Sequence, residues 1–235
     1  MENKIDFYRS ESQLMNDAID RLVVEVYKQK KENGDKTLLL TGASQQVGTT
    51  TNAINLSIAL SVAGWKTVLI DTDMRKGNLS KRLNEETGRG LSDYLNESVT
   101  YEEIQYQTSY ENLTYIPCGS VSDSPVRLLC TKKIETIIEE LKKDFDFVVF
   151  DFPSINIVPD AEILFSIVDE IMLVAAIGKT TKRQLFDARR KVNVCHEKYR
   201  GTIVNQVDMT EYRRYFKGYD YFEGEKNKGE EKHEN

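Results

Sequence analysis

An α/β fold, a mostly parallel sheet flanked by helices, is predicted by three features of this chain. Short apolar runs alternate with amphipathic stretches, a strand, loop and helix follow one another over Leu38 to Asn55, and aspartates end two of the apolar runs. At 235 residues and 40% hydrophobic content, the chain is long enough for one well-packed core and too short for two. The expected division is an N-terminal helix over residues 1–35, a main domain over 36–211 and a tail over 212–235.

The elements follow in order. Between Glu11 and Lys31, apolar residues recur at helical spacing (Leu14, Ala18, Leu22, Val26, with Ile19, Val23 and Tyr27 beside them), and Asn33-Gly34-Asp35 ends that helix. Thr37 to Thr41 suits a strand covered on both faces, and Thr50 to Ala63 is the helix after the loop. KTVLIDTD, LTYIPC, FDFVVFDFP, EIMLVAA and GTIVNQV supply further buried strands, with a less regular stretch up to Thr108. Pro125 opens one helical segment through VRLLCTKKIETIIEELKK, and further helices are expected near Asp160 to Val168 and Thr181 to Tyr199. Such alternation implies right-handed crossovers, so ligands would sit at the carboxyl ends of the strands, where Gly42, Asp71 and Asp151 emerge.

Composition narrows the function. A net charge of −6 argues against a nucleic-acid surface, which needs a basic face. Cys118, Cys130 and Cys195 are too few and too scattered for a disulfide framework or a zinc site, and a reducing cytoplasm suits them. No apolar run approaches a membrane span, and MENKIDFYRS is unlike a signal peptide, so direct membrane insertion is not expected. From Tyr212 onward, tyrosines and charges occur without aliphatic residues, the composition of a flexible tail that builds no core.

Three strand ends carry the chemistry. The loop Ala43, Ser44, Gln45, Gln46, Val47, Gly48, Thr49, Thr50, Thr51 has the frame of a phosphate-binding loop, whose N–H groups cradle phosphates and whose Ser or Thr takes Mg²⁺. Thr49 stands where that loop carries lysine. Taken alone, the segment is equally an ordinary strand-to-helix turn with capping threonines. In VLIDTDMRK, Asp71 and Asp73 lie at i and i+2 and point the same way, as a shared Mg²⁺ or a proton acceptor requires, although aspartates there also cap turns. Asp151 ends FVVFD ahead of Pro153, where a carboxylate can hold a metal's water shell.

This order of an A-type loop, a strand ending in Asp-x-Asp-x-Arg, a strand ending in Asp-x-Pro and a tyrosine-bearing tail resembles the bacterial tyrosine kinases of capsule and exopolysaccharide synthesis. Those kinases fall within the ParA/MinD group of P-loop ATPases. The resemblance runs from about Leu14 to Tyr221, is most specific at IDTDMRKG, and includes SPVRLL, similar to a family motif NPxELL. It implies a P-loop NTPase-like fold of ParA/MinD type, ATP and Mg²⁺ as cofactors, and residues 43–51 as the phosphate loop. It further implies Thr50, Asp71 and Asp151 around the metal, Asp73 activating a tyrosine hydroxyl, Asn205 on the adenine base, and Tyr212, Tyr215, Tyr219 and Tyr221 as phosphorylation sites. The implied partners are a membrane-embedded polysaccharide chain-length regulator, which would recruit a cytoplasmic protein to the inner face of the membrane, and further copies of the chain.

The chain departs from this family at named positions. Thr49 replaces the phosphate lysine, Ser44 takes the place of the ParA/MinD signature lysine, and DAIDRLVVE keeps only Ala18, Leu22 and a displaced Arg21 of the oligomerisation helix pattern. Losing one charge-assisted hydrogen bond costs roughly 1.5–3 kcal/mol, about ten- to a hundredfold in affinity, and on the order of 10²–10³ in rate where preorganised charge stabilises the transition state. Arg75, Lys76 and Arg127 are the candidate substitutes. Three readings therefore stand: a tyrosine kinase, a nucleotide-binding adaptor without phosphoryl transfer, and a ParA/MinD-type positioning ATPase.

Overall fold

The computed structural model of the chain describes residues 5–7, 13–75 and 88–208, the side chains of residues 13 and 14 excepted. Seven strands lie among these residues: β1 (Thr37–Gly42), β2 (Thr67–Asp71), β3 (Tyr106–Gln107), β4 (Leu113–Ile116), β5 (Phe147–Phe152), β6 (Glu170–Ala176) and β7 (Tyr199–Asn205). The helices are α1 (Gln13–Asn33), α2 (Thr49–Val62), α3 (Leu91–Leu95), α4 (Pro125–Leu129), α5 (Lys132–Asp144), α6 (Asp160–Leu164) and α7 (Lys182–Val192). The strands form one sheet in the order β3-β4-β2-β5-β1-β6-β7, with every pairing parallel except β3 with β4.

Side chains alternate across the sheet, so each apolar run feeds two cores. Leu38, Leu40, Leu69 and Val149 pack on one face with Leu56 and Leu60 of α2 and Val26 of α1. Leu39, Val68, Ile70, Val148 and Phe150 face the other way, against Ile134, Ile137 and Leu141 of α5 and Ala188 and Val192 of α7. Burial on both faces is why these strands read as continuous apolar runs in the sequence.

Four features differ from the sequence-based expectation. The segment opened by Pro125 is two helices, because Thr131 takes an extended conformation (φ −79°, ψ 153°) and starts α5 afresh. On one continuous helix, Leu129 and Ile134 would point about 140° apart, yet both are buried in one cluster. The irregular stretch holds α3 and the short β3. The helix beginning at Asp160 stops at Leu164, and the next at Val192, where a 3₁₀ turn over Asn193–Cys195 follows. Near the N-terminus, Ile5 bridges to Thr108 and is fully buried, and Phe7 meets the Tyr115 ring edge-on at 5.6 Å. The polar look of the first ten residues concealed these two anchors. Among the described residues, no helix is long and apolar enough to cross a membrane.

Candidate nucleotide-binding site

β1 ends at Gly42, and the chain then turns over the carboxyl edge of the sheet into α2. The loop is tied to its surroundings at its start, where Ala43 N–H donates to the Val174 carbonyl at 2.8 Å. It then curls back through two left-handed residues, Gln46 (φ 55°) and Gly48 (φ 88°). Gly48 is required twice over, by its φ and by space: a Cβ there would stand 2.2 Å from Asn205 Nδ2. A Cβ on Gly42 would meet Ser44 O, Thr49 Oγ1 and Val47 Cγ2 at 2.8–2.9 Å. Among the described residues no side chain caps α2, and no acidic residue occupies its first turn, so its N–H groups and positive dipole end suit an anion.

A cleft of about 750 Å³ opens in front of this helix end, within the usual size range of small-molecule sites. Residues 44–51 line one side, and Asp71, Asp73 and Asp151 line another. Asp71 of β2 and Asp151 of β5 are direct neighbours in the parallel register, and both are buried. Asp71 Oδ1 accepts a 2.9 Å bond from Asp73 N–H, which turns the chain so that half-buried Asp73 also reaches the cleft. Among the described residues no three His, Cys, Asp or Glu side chains converge as a complete metal site. Mg²⁺ takes one or two carboxylates and completes its shell with water and phosphate oxygens, so the Asp71 and Asp151 pair, in a cleft that Thr50 also lines, fits that ion with a nucleotide. Cys118 is not among the cleft residues, and burial, followed by the charges of Asp71 and Asp73, pushes its thiol up to about 12.

Comparison with known proteins bears on the same region. A family model described as an AAA domain matches residues 41–187. The chain is 33% identical over 181 residues to the tyrosine-protein kinase CpsD of Streptococcus pneumoniae serotype 4, a match that covers 76% of this chain and 80% of that protein. The chain belongs to the CpsD/CapB family of bacterial tyrosine-protein kinases. The BceF tyrosine kinase domain superposes with a TM-score of 0.75 at 26% identity, over 83% of this chain and 78% of that one. The septum site-determining protein MinD complexed with Mg-ADP, from Pyrococcus horikoshii, shares the fold with a TM-score of 0.61 at 24% identity, over 72% and 70% of the two chains.

Of the candidate cations that the sequence offers in this member of the kinase family, one lines the cleft among the described residues. Arg75 lines the cleft, but both its Nε and Nη2 donate to the buried Asp160 carboxylate, at 3.1 and 2.9 Å, and that bonding holds the guanidinium charged. Arg127 is exposed on α4 and is not among the cleft residues. Lys76 lies outside the described residues, as do Tyr212, Tyr215, Tyr219 and Tyr221. Thr49 lines the cleft as the first residue of α2, and its hydroxyl lies toward Gly42.

Asn205 stands against the loop: its Nδ2 donates to the Val47 carbonyl at 2.8 Å. That bond clamps the loop, and the next residue, Gln206, is the one from this strand end that lines the cleft. Three further residues escaped sequence reasoning. Asn156 Nδ2 joins the Ala43 and Gln184 carbonyls at 2.9 and 2.8 Å. Ser154 lines the cleft with a buried Oγ that has no hydrogen-bond partner among the described residues. Lys179 lines the cleft from the turn after β6, and its Nζ donates to the Gln46 carbonyl at 3.3 Å. Parallel strands deliver the residues after them to the same edge as the loop, but that β6 lies beside β1 and so brings Lys179 to the cleft is set by the strand order.

Proposed function

We propose that this chain binds Mg-ATP at the carboxyl edge of the sheet and transfers the γ-phosphoryl group to tyrosine, the tail residues Tyr212, Tyr215, Tyr219 and Tyr221 being the first acceptors. One observation carries the reading: Asp71 and Asp151 are paired side by side at the mouth of a glycine-turned loop that opens a helix. Loop N–H groups at residues 44–50 hold phosphate oxygens, and Thr50, Asp71 and Asp151 hold Mg²⁺, which when bound neutralises phosphate charge. Asp73 accepts the tyrosine proton as the new O–P bond forms and the bond to the leaving diphosphate oxygen breaks. Asn205 orders the loop through Val47.

The family resemblance supports a cytoplasmic setting, a membrane-embedded polysaccharide chain-length regulator as partner, self-association, and a role in capsule or exopolysaccharide export. Phosphorylation of several neighbouring tail tyrosines would add charge that disfavours whatever interface the tail makes. A second reading, a nucleotide-binding adaptor, is favoured by Thr49 alone. Mass spectrometry of the protein expressed alone and incubated with Mg-ATP separates the two. Tail phosphotyrosine is the expected result, and nucleotide binding without it would support the adaptor.

A further inference from the structure

Two cations line the cleft among the described residues, and they are held differently. Arg75 cannot leave Asp160 without stranding a carboxylate whose side chain is only 5% exposed. Lys179 makes no ion pair among the described residues, is exposed, and its ammonium donates a 3.3 Å hydrogen bond to the Gln46 carbonyl in the loop.

The base of Lys179 is fixed where that of a surface lysine is usually loose. Gly178 turns at φ 75°, and the N–H groups of Lys179 and Thr180 both donate to the Ala176 carbonyl, at 3.2 and 2.9 Å. Thr180 Oγ1 accepts from Ala176 N–H at 3.0 Å and shares a 2.9 Å hydrogen bond with Ser44 Oγ in the loop itself. Thr181 then caps α7 in a box with Gln184, and Asn156 ties the Gln184 carbonyl to Ala43. The turn and the phosphate loop are therefore one bonded unit, with Lys179 at the seam and a flexible four-carbon stem above it.

We propose that Lys179 supplies to the nucleotide's phosphates the positive charge that the loop lacks at Thr49. The inference rests on the nucleotide reading above and adds the residue that makes it workable. The exchange is favourable in kind: a hydrogen bond from an ammonium to a solvent-exposed carbonyl is replaced by a charge-assisted bond to a phosphate, in a cleft already shaped by N–H donors. Release of the Gln46 carbonyl costs little, because Gln46 is exposed and water can take the place of the ammonium.

Calorimetry of adenosine, Mg-ADP and Mg-ATP binding to the full chain, with Lys179→Ala, Lys179→Arg and Thr49→Lys variants, tests the inference. Lys179→Ala should weaken Mg-ATP by about ten- to a hundredfold and leave adenosine unchanged, and Lys179→Arg should recover most of the loss. In a Thr49→Lys background the same Lys179→Ala change should cost several-fold less, since the two cations would serve one phosphate group. Mg-ATP binding that is equal in wild type and Lys179→Ala would overturn the role of Lys179 and leave the nucleotide reading standing. An equal loss for adenosine and Mg-ATP would also overturn it, by showing that Lys179 merely orders the loop through Gln46. Wild type that binds none of the three at millimolar concentration would overturn both.

Discussion

Thr49 begins α2 directly behind the loop, so a lysine in its place starts from the position a phosphate-binding lysine needs. Thr49→Lys is expected to raise Mg-ADP affinity by roughly ten- to a hundredfold, measured by calorimetry, and to raise phosphoryl transfer with it. Unchanged affinity would mean that the loop does not receive phosphates. The three aspartates divide by position. Asp71→Asn and Asp151→Asn, at the buried register pair, should weaken Mg²⁺-dependent nucleotide binding. Asp73→Asn, half-exposed beside them, should spare binding and abolish tyrosine phosphorylation. Full tail phosphorylation in Asp73→Asn, together with intact binding in Asp71→Asn, would make the cluster structural.

Among the elements, the loop and the N-terminal segment give the sharpest expectations. Gly48→Ala adds a methyl group at φ 88° and 2.2 Å from Asn205 Nδ2, so the clamp on Val47 must open or the loop must move. Nucleotide affinity should fall with little change in the urea midpoint, because the strain is confined to the loop. Phe7→Ala acts the other way: it empties a site 3% exposed against Tyr115 and should cost about 3 kcal/mol in urea unfolding, with loop chemistry unaffected. A loss well below about 1 kcal/mol would show that the segment is not docked in solution. These two elements were unequally legible. The loop announced itself through glycine and threonine spacing, whereas Ile5 and Phe7 are two apolar residues in a polar stretch, and only the bridge to Thr108 gives them a purpose.

Over the whole molecule, the end of the sheet opposite the cleft carries its own charge problem. Glu170 is 2% exposed, and burial is the main cause that raises its carboxyl to about 8 from 4.5. The Arg200 charge, 3.8 Å away, pulls it down, while Asp35, Asp169 and Glu25 push it up. Arg200 also bonds Asp35 at 3.1 Å, so its charge is shared. Because the folded value is the higher one, the folded chain holds a proton between about 4.5 and about 8 that the unfolded chain has released. Unfolding free energy should therefore fall as pH rises through that window and level off above it. Glu170→Gln should flatten this slope, read as urea midpoints at pH values on either side of the window. A wild-type midpoint that does not fall would show the carboxylate to be stabilised by Arg200.

Local order in the chain was sufficient for the parallel sheet, the glycine-turned loop between β1 and α2 and the three cleft aspartates, because each is written in a short segment: apolar runs buried on both faces, glycine at a left-handed turn, carboxylates at or just beyond strand ends. The break between α4 and α5 was not legible, since the spacing of apolar residues carries straight through Cys130 and Thr131 and only packing decides which of them face the core. Tertiary structure alone also decided which polar side chains stand at the cleft and what holds them there. Arg75 meets Asp160 85 positions later, Asn205 meets Val47 158 positions earlier, and Lys179 meets Gln46 across 133. Those meetings depend on the strand order that sets β6 and β7 beside β1. Periodicity determines which face of a strand is apolar and says nothing about which strand is its neighbour.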